Sequence, residues 1–261
     1  MKGHNSEKLR QALSKWPAGE LRTAASLRTQ GISKSLLHYY VQQHWLELAA
    51  RGLYRRPGDV ATWQAALNTL QGEGAPVHVG GLSALELQGY GHYIHMGGRP
   101  LFLYGPPHFR LPTWFRGAIK GEVHLISAGF LAGLMQEGLH GMPVEGVQVI
   151  MSLPERAALE MLYAVHPGKV GFTEAFDVLG GLVAVRLELM QALLERCTSV
   201  KAKRLFLYCA REAGHKWYSK LDRGRIGLGT GKRVLIKGGR LDKEFLLTVP
   251  VNLYANMEAI F

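Results

Sequence analysis

The sequence predicts an α+β chain: an N-terminal winged helix-turn-helix domain followed by a larger mixed α/β C-terminal domain. Three observations predict it. Residues 20–42 read as two helices around a glycine turn. Residues 45–56 read as an arginine-bearing hairpin. The remainder alternates short apolar runs of strand length with amphipathic helical stretches. The 261 residues suffice for two domains, placed at 1–95 and 96–261. The boundary falls in the glycine-rich stretch GYGHYIHMGG.

Residues 6–14 read as a first helix, with Leu9 and Leu13 on one side. Residues 20–29 read as a second, with Leu21, Ala24, Ala25 and Leu27 apolar. It closes at Gln30-Gly31, where glycine takes a left-handed backbone. Ser33 is the N-cap of a third helix, its hydroxyl accepting from a first-turn N–H. Leu36, Leu37, Tyr40, Val41 and Trp45 then recur at helical spacing and make one apolar stripe. The second helix of such a pair lies in the DNA major groove. The candidate DNA contacts are therefore Ser33, Lys34, Ser35, His38, Tyr39 and Gln42. Gln42 suits bidentate pairing with adenine. Ser33 and Ser35 suit phosphate and set register. In the hairpin, Gly52 takes the permissive turn position and Pro57-Gly58 stops the return strand. Arg51, Arg55 and Arg56 are its candidate phosphate or minor-groove contacts. The alternative is a helical hairpin and ribbon that only pack; the basic hairpin at the place of a wing favours DNA.

Further along, residues 61–70 form an amphipathic helix and residues 83–87 a helical turn. Strands are expected at 77–79, 100–104, 123–126 and 147–151. Ser152 and Glu155 have capping-box spacing, with Pro154 between, and open a helix over 155–165 that buries Ala158, Leu159, Leu162 and Tyr163. Residues 187–197 form a helix burying Leu189, Met190, Leu193 and Leu194. Residues 205–209 read as a buried strand, and 232–250 as two strands around Gly238-Gly239.

Charge is uneven. Residues 1–60 hold ten Lys and Arg against four Asp and Glu, residues 61–199 eight against eleven, and residues 200–261 thirteen against five. A basic end on a winged helix suits a polyanion. The second basic end supplies Lys201, Lys203, Arg204, Lys216, Lys220, Arg223, Arg225, Lys232, Arg233, Lys237 and Arg240 as a candidate face for RNA, DNA or an acidic partner. Scattered solvated charge is the competing reading. The N-terminus lacks a signal peptide's apolar core, and no apolar run approaches the about 18 residues of a membrane span. Cys197 and Cys209 are too few for a disulfide framework or a cysteine metal site. A cytoplasmic protein with no membrane partner is expected.

Catalytic patterns are not found. His92 and His95 lie three apart without further ligands in metal spacing, so neither metal nor cofactor is expected. GLGTGKR at 227–233 has Ile226 and Arg233 where a P-loop needs glycine and Ser or Thr. It reads as a flexible turn whose amides make a weak case for holding phosphate. Asp59, Asp177, Asp222 and Asp242 are scattered and no GxSxG elbow is present, so no catalytic residue is assigned and no enzyme is expected.

The pieces SVKAKRLFLY, LGTGKRVLIKGGRLDK and TVPV, with VGGLSALELQGYGHY at 79–93, PTWF at 112–115 and PERAALEML at 154–162, resemble the AbiEi-family antitoxins. The segment ending in RGLYRRPG is similar to that family's DNA-binding domain. The resemblance implies an antitoxin of a type IV toxin–antitoxin system linked to abortive infection by phage. It implies a winged helix that binds inverted repeats in double-stranded promoter DNA and represses its own operon. It also implies a C-terminal domain that counters AbiEii, a nucleotidyltransferase-like toxin, without needing a stable complex. The competing class is a stand-alone regulator whose C-terminal domain mediates dimerisation or binds a ligand in a pocket lined by Trp114, Trp217 and Tyr218.

Overall fold

The computed structural model describes residues 13–14, 16–91, 98–134, 136–236 and 238–251. Most of the expected first helix, His92, His95, most of the glycine-rich boundary and Lys237 lie outside them.

The N-terminal unit runs β1 (Arg22–Thr23), α1 (Ala24–Thr29), α2 (Lys34–Gln42), β2 (Glu47–Ala50) and β3 (Leu53–Arg55). Its strands order as β1-β3-β2, all antiparallel. The helix expected from residue 20 starts later, because Arg22 and Thr23 pair with Tyr54 and Leu53. Thr23 then caps α1, its Oγ1 accepting from Ser26 N at 3.1 Å. Gly31 closes the helix at φ +81°, as its position requires. Trp16, Leu27, Ile32, Leu37, Tyr40 and Leu46 make a small core of their own. Thr69 fastens this unit to the next element, donating to Leu21 O at 2.8 Å. Thr23 Oγ1 also bonds the Glu73 carboxylate.

The rest begins with α3 (Trp63–Gly72), β4 (His78–Val79), α4 (Gly81–Leu87), β5 (Leu101–Gly105), α5 (Thr113–Ala118), β6 (Val123–Ser127), β7 (Leu139–Val144) and β8 (Val147–Ser152). Five strands order as β6-β5-β4-β8-β7 in a mixed sheet, with β6 parallel to β5 and β4 parallel to β8. Strands from both sides of residue 95 share this sheet. Because β4 is so short, part of β8 lacks a ladder partner on that side. Gln71 of α3 substitutes, accepting from Ile150 N at 2.8 Å and donating to Ile150 O at 3.1 Å.

Helices α6 (Pro154–Ala164), α7 (Phe172–Gly180), α8 (Leu187–Arg196) and α9 (Val200–Glu212) follow, then β9 (Arg233–Val234), β10 (Arg240–Asp242) and β11 (Leu247–Val249). Two expectations are corrected here. Residues 205–209 are not a strand but the middle of α9, capped by Ser199. An apolar run buried all round suits a core helix as well as a strand, and periodicity cannot separate them. The Ser152/Glu155 capping box does not form: Leu153 is the N-cap. Ser152 Oγ instead donates to Glu160 at 2.7 Å, and Glu155 accepts from the Arg186 amide at 2.6 Å. The tail forms three short strands rather than two, with β11 parallel to β9 and antiparallel to β10. The elements α5, β7 and α7 had no counterpart in the sequence reading.

Glu160 lies at the centre of this unit, fully buried on α6. Its carboxylate accepts from Arg156 Nε at 2.9 Å, Ser152 Oγ at 2.7 Å and the Gly81 amide at 3.1 Å. His78 Nε2 lies 2.9 Å away and must carry the proton, since an ionised carboxylate only accepts. Tyr104 OH donates to the Glu160 carbonyl at 2.8 Å. One residue thus gathers β4, the start of α4, β5, β8 and α6, the β5 contact being through its backbone carbonyl. Side chains at Gly80 and Gly81 would collide with Glu160 and Tyr104 respectively, and Gly81 also sits at φ +54°. Burial alone pushes the Glu160 pKa up, but attraction and hydrogen bonds from His78 and Arg156 hold it below the usual glutamate range.

Arg204 of α9 plays a similar part for the tail. Its buried guanidinium donates to Leu228 O at 2.9 Å, Gly231 O at 2.6 Å and Gly229 O at 3.1 Å. Arg211 bonds Asp242 at 2.5 Å and also bonds Glu244, pinning the β10–β11 turn to α9.

Replacing Glu160 by Gln leaves the Arg156 cation buried without its counter-charge. Urea denaturation is expected to show a loss of about 3–5 kcal/mol near neutral pH. A group held below its ordinary pKa stabilises above the unfolded value of about 4.3, and that stability is lost as pH falls through the lower folded value. The gap between wild type and Glu160→Gln should therefore shrink in acid below about pH 4. A gap under about 1 kcal/mol at neutral pH would contradict the assignment. Arg204→Lys is expected to expose residues 227–231 to limited proteolysis, because one ammonium cannot reproduce the planar fork. Unchanged cleavage would show that the fork does not hold the loop.

Candidate nucleic-acid interface

Helix α2 begins with Ser33 as its cap, Oγ accepting from Leu36 N at 3.2 Å. Ser35 Oγ lies 3.0 Å from Ser33 Oγ, so the two hydroxyls sit together at the helix start. Leu37 and Tyr40 are buried, which turns the opposite face outward. Lys34, His38 and Gln42 are exposed at four-residue intervals and form one ridge. No carboxylate occurs on the helix. Tyr39 is half-buried, its ring edge-on to Trp45 at 5.8 Å. Aromatic packing holds it more firmly than any free contact residue would be held.

The wing turns at Arg51-Gly52, with Gly52 at φ +81°. Its three arginines differ. Arg51 is exposed at the tip and, among the described residues, makes no ion pair. Arg55 bonds Glu47 across the β2–β3 pair, at 2.9 Å through Nε and 2.8 Å through Nη2. Arg56 donates to Trp16 O at 3.0 Å. Only Arg51 has its full donor set open to a phosphate; the other two already brace the unit.

The C-terminal basic set is not brought together whole. Lys203 and Arg204 are buried and leave the face, a correction with a clear cause: they lie on the inward side of α9, a helix that starts before the strand expected at 205–209 and runs through it. Lys201 is half-buried, donating to Tyr163 O at 2.7 Å and Val165 O at 3.0 Å. Arg223 bridges to Glu244 at 2.8 Å and Arg225 to Glu195 at 2.9 Å. Lys216, Lys220, Lys232, Arg233 and Arg240 are exposed.

Two further sequence features find structural roles. The carbonyls of 228, 229 and 231 turn inward to Arg204, so GLGTGKR acts as an acceptor for a cation. Trp217 is core: its ring stacks on Phe206 and His215, and its indole N–H donates to Leu182 O at 3.0 Å. No described helix is long and apolar enough to cross a membrane. The buried Arg156–Glu160 pair went unread, although two opposite charges four residues apart inside the apolar stretch of a helix were a usable signal.

A solved structure, that of the RV2827C protein from Mycobacterium tuberculosis, shares the fold with a TM-score of 0.58 at 17% sequence identity, over 97% of this chain and 93% of that one. No curated protein matches the sequence. Two family models match. Residues 5–96 fit the model described as transcriptional regulator, AbiEi antitoxin N-terminal domain. Residues 99–250 fit that described as transcriptional regulator, AbiEi antitoxin, type IV TA system. With both halves of the chain matched in order, the protein belongs to the AbiEi antitoxin family of transcriptional regulators of type IV toxin–antitoxin systems.

Proposed function

We propose that this chain represses its own operon by placing α2 in the major groove of inverted repeats in the promoter, with the wing on the adjacent backbone. The exposed ridge of Lys34, His38 and Gln42, together with the exposed Arg51 at the wing tip, supports this most directly. Lys34 and Gln42 donate to base edges, while Ser33 and Ser35 touch phosphate and fix register. The part of the C-terminal basic set that is exposed and outside the ion pairs of Arg223 and Arg225, namely Lys216, Lys220, Lys232, Arg233 and Arg240, serves the second task, countering a nucleotidyltransferase-like AbiEii toxin in the cytoplasm. No stable complex between the two is required.

A promoter reporter in cells, with and without the toxin gene, separates the two tasks. The wild-type chain should silence the reporter and restore growth. A chain that restores growth but leaves the reporter active would contradict the autoregulatory reading.

Arg51→Ala is expected to weaken binding to all duplexes alike and to flatten the log–log salt dependence by about one unit. Arg55→Ala should change the slope less, since Glu47 already engages that guanidinium. Equal slopes for Arg51→Ala and wild type would remove Arg51 from the contacts. Reversing Lys216, Lys220 and Arg233 together should abolish growth rescue while sparing repression. Intact rescue in that variant would refute the basic-face reading.

A further inference from the structure

The middle of the chain is net acidic, yet the fold gathers some of its few cations into one place. A cavity of about 350 Å³ opens between the loop at 165–172 and the segment at 234–236. Lys169 and Lys201 both line it, and among the described residues no Asp or Glu does. Lys201 is held in place: its ammonium donates to Tyr163 O and Val165 O, which uses two of its three N–H bonds. Lys169 is exposed at the mouth. Burial first, and then the charge of Lys169, push the Lys201 pKa down. Two ammonium groups on one cavity repel each other, and an anion between them would relieve that repulsion.

The path continues. Lys169 also lines a neighbouring cavity of about 580 Å³, where Arg110 and Arg116 supply further positive charge and, among the described residues, no carboxylate lines the wall. The opposite wall of the first cavity is apolar. Val234 and Ile236 stay 65% and 40% exposed there, large apolar side chains left open to solvent. The volume suits a small ligand rather than a duplex.

We propose that this cavity binds a nucleoside di- or triphosphate, its phosphates between Lys201 and Lys169 and its base against Val234 and Ile236. The site lies outside the winged helix and does not depend on the promoter reading.

Isothermal titration of the full chain with ATP, GTP, pyrophosphate and a short single-stranded oligonucleotide tests it. A nucleotide should bind saturably and more tightly than pyrophosphate. Lys169→Glu should weaken it at least about tenfold, while Lys243→Glu, also exposed but not on the cavity lining, should not. Lys169 is an exposed loop residue, so its variant should keep the wild-type Tm; Val234→Asp supplies a second variant on the apolar wall and should also weaken the nucleotide. Binding of the oligonucleotide alone, binding of no probe, or equal losses in Lys169→Glu and Lys243→Glu would each overturn the proposal.

Discussion

The Glu160 carboxylate is the constraint around which the larger part of this fold is arranged. A charge removed from water is tolerated only when its lone pairs are filled, and here the partners come from several elements. That requirement fixes neighbours that look unrelated in sequence. Gly80 and Gly81 must lack side chains so that the start of α4 can reach the carboxylate. Ser152 must end β8 instead of capping α6. The same physics recurs with reversed sign at Arg204, where a buried cation collects backbone carbonyls and shapes the glycine-rich tail.

These two hubs leave the functional surfaces to the exposed charges around them. The winged unit has a small core of its own but is not free-standing, because Leu21 and Leu53 join the large core and Thr69 ties the strand end to α3. The exposed ridge of α2 is therefore carried on a packed support. Membership of the AbiEi antitoxin family gives that ridge its context. The wing's arginines differ, since Arg55 and Arg56 brace the unit while Arg51 is exposed, and only the geometry separates them.

Much of the N-terminal unit was legible in the sequence. The Ser33 cap, the Gly31 closure and the hairpin around Gly52 are local devices, written within a few residues of where they act. Helices such as α3 and α8 announced themselves through apolar spacing. Residues 205–209 misled because a fully buried helix has no polar face to reveal its period. Lys203 and Arg204 misled for the same reason: charge suggests a surface, yet Arg204 is inside because distant carbonyls await it. The meeting of Lys169 with Lys201, or of His78 with Glu160, rests on tertiary packing that no short window of sequence contains.

The most direct measurement is a titration of the purified chain against its own upstream promoter, beside a scrambled duplex, at several salt concentrations. The account predicts tight binding to the promoter alone, with the scrambled duplex bound weakly and lost as salt rises. Equal, salt-sensitive binding to both would contradict it, and would mean that the basic surfaces hold nucleic acid without reading it.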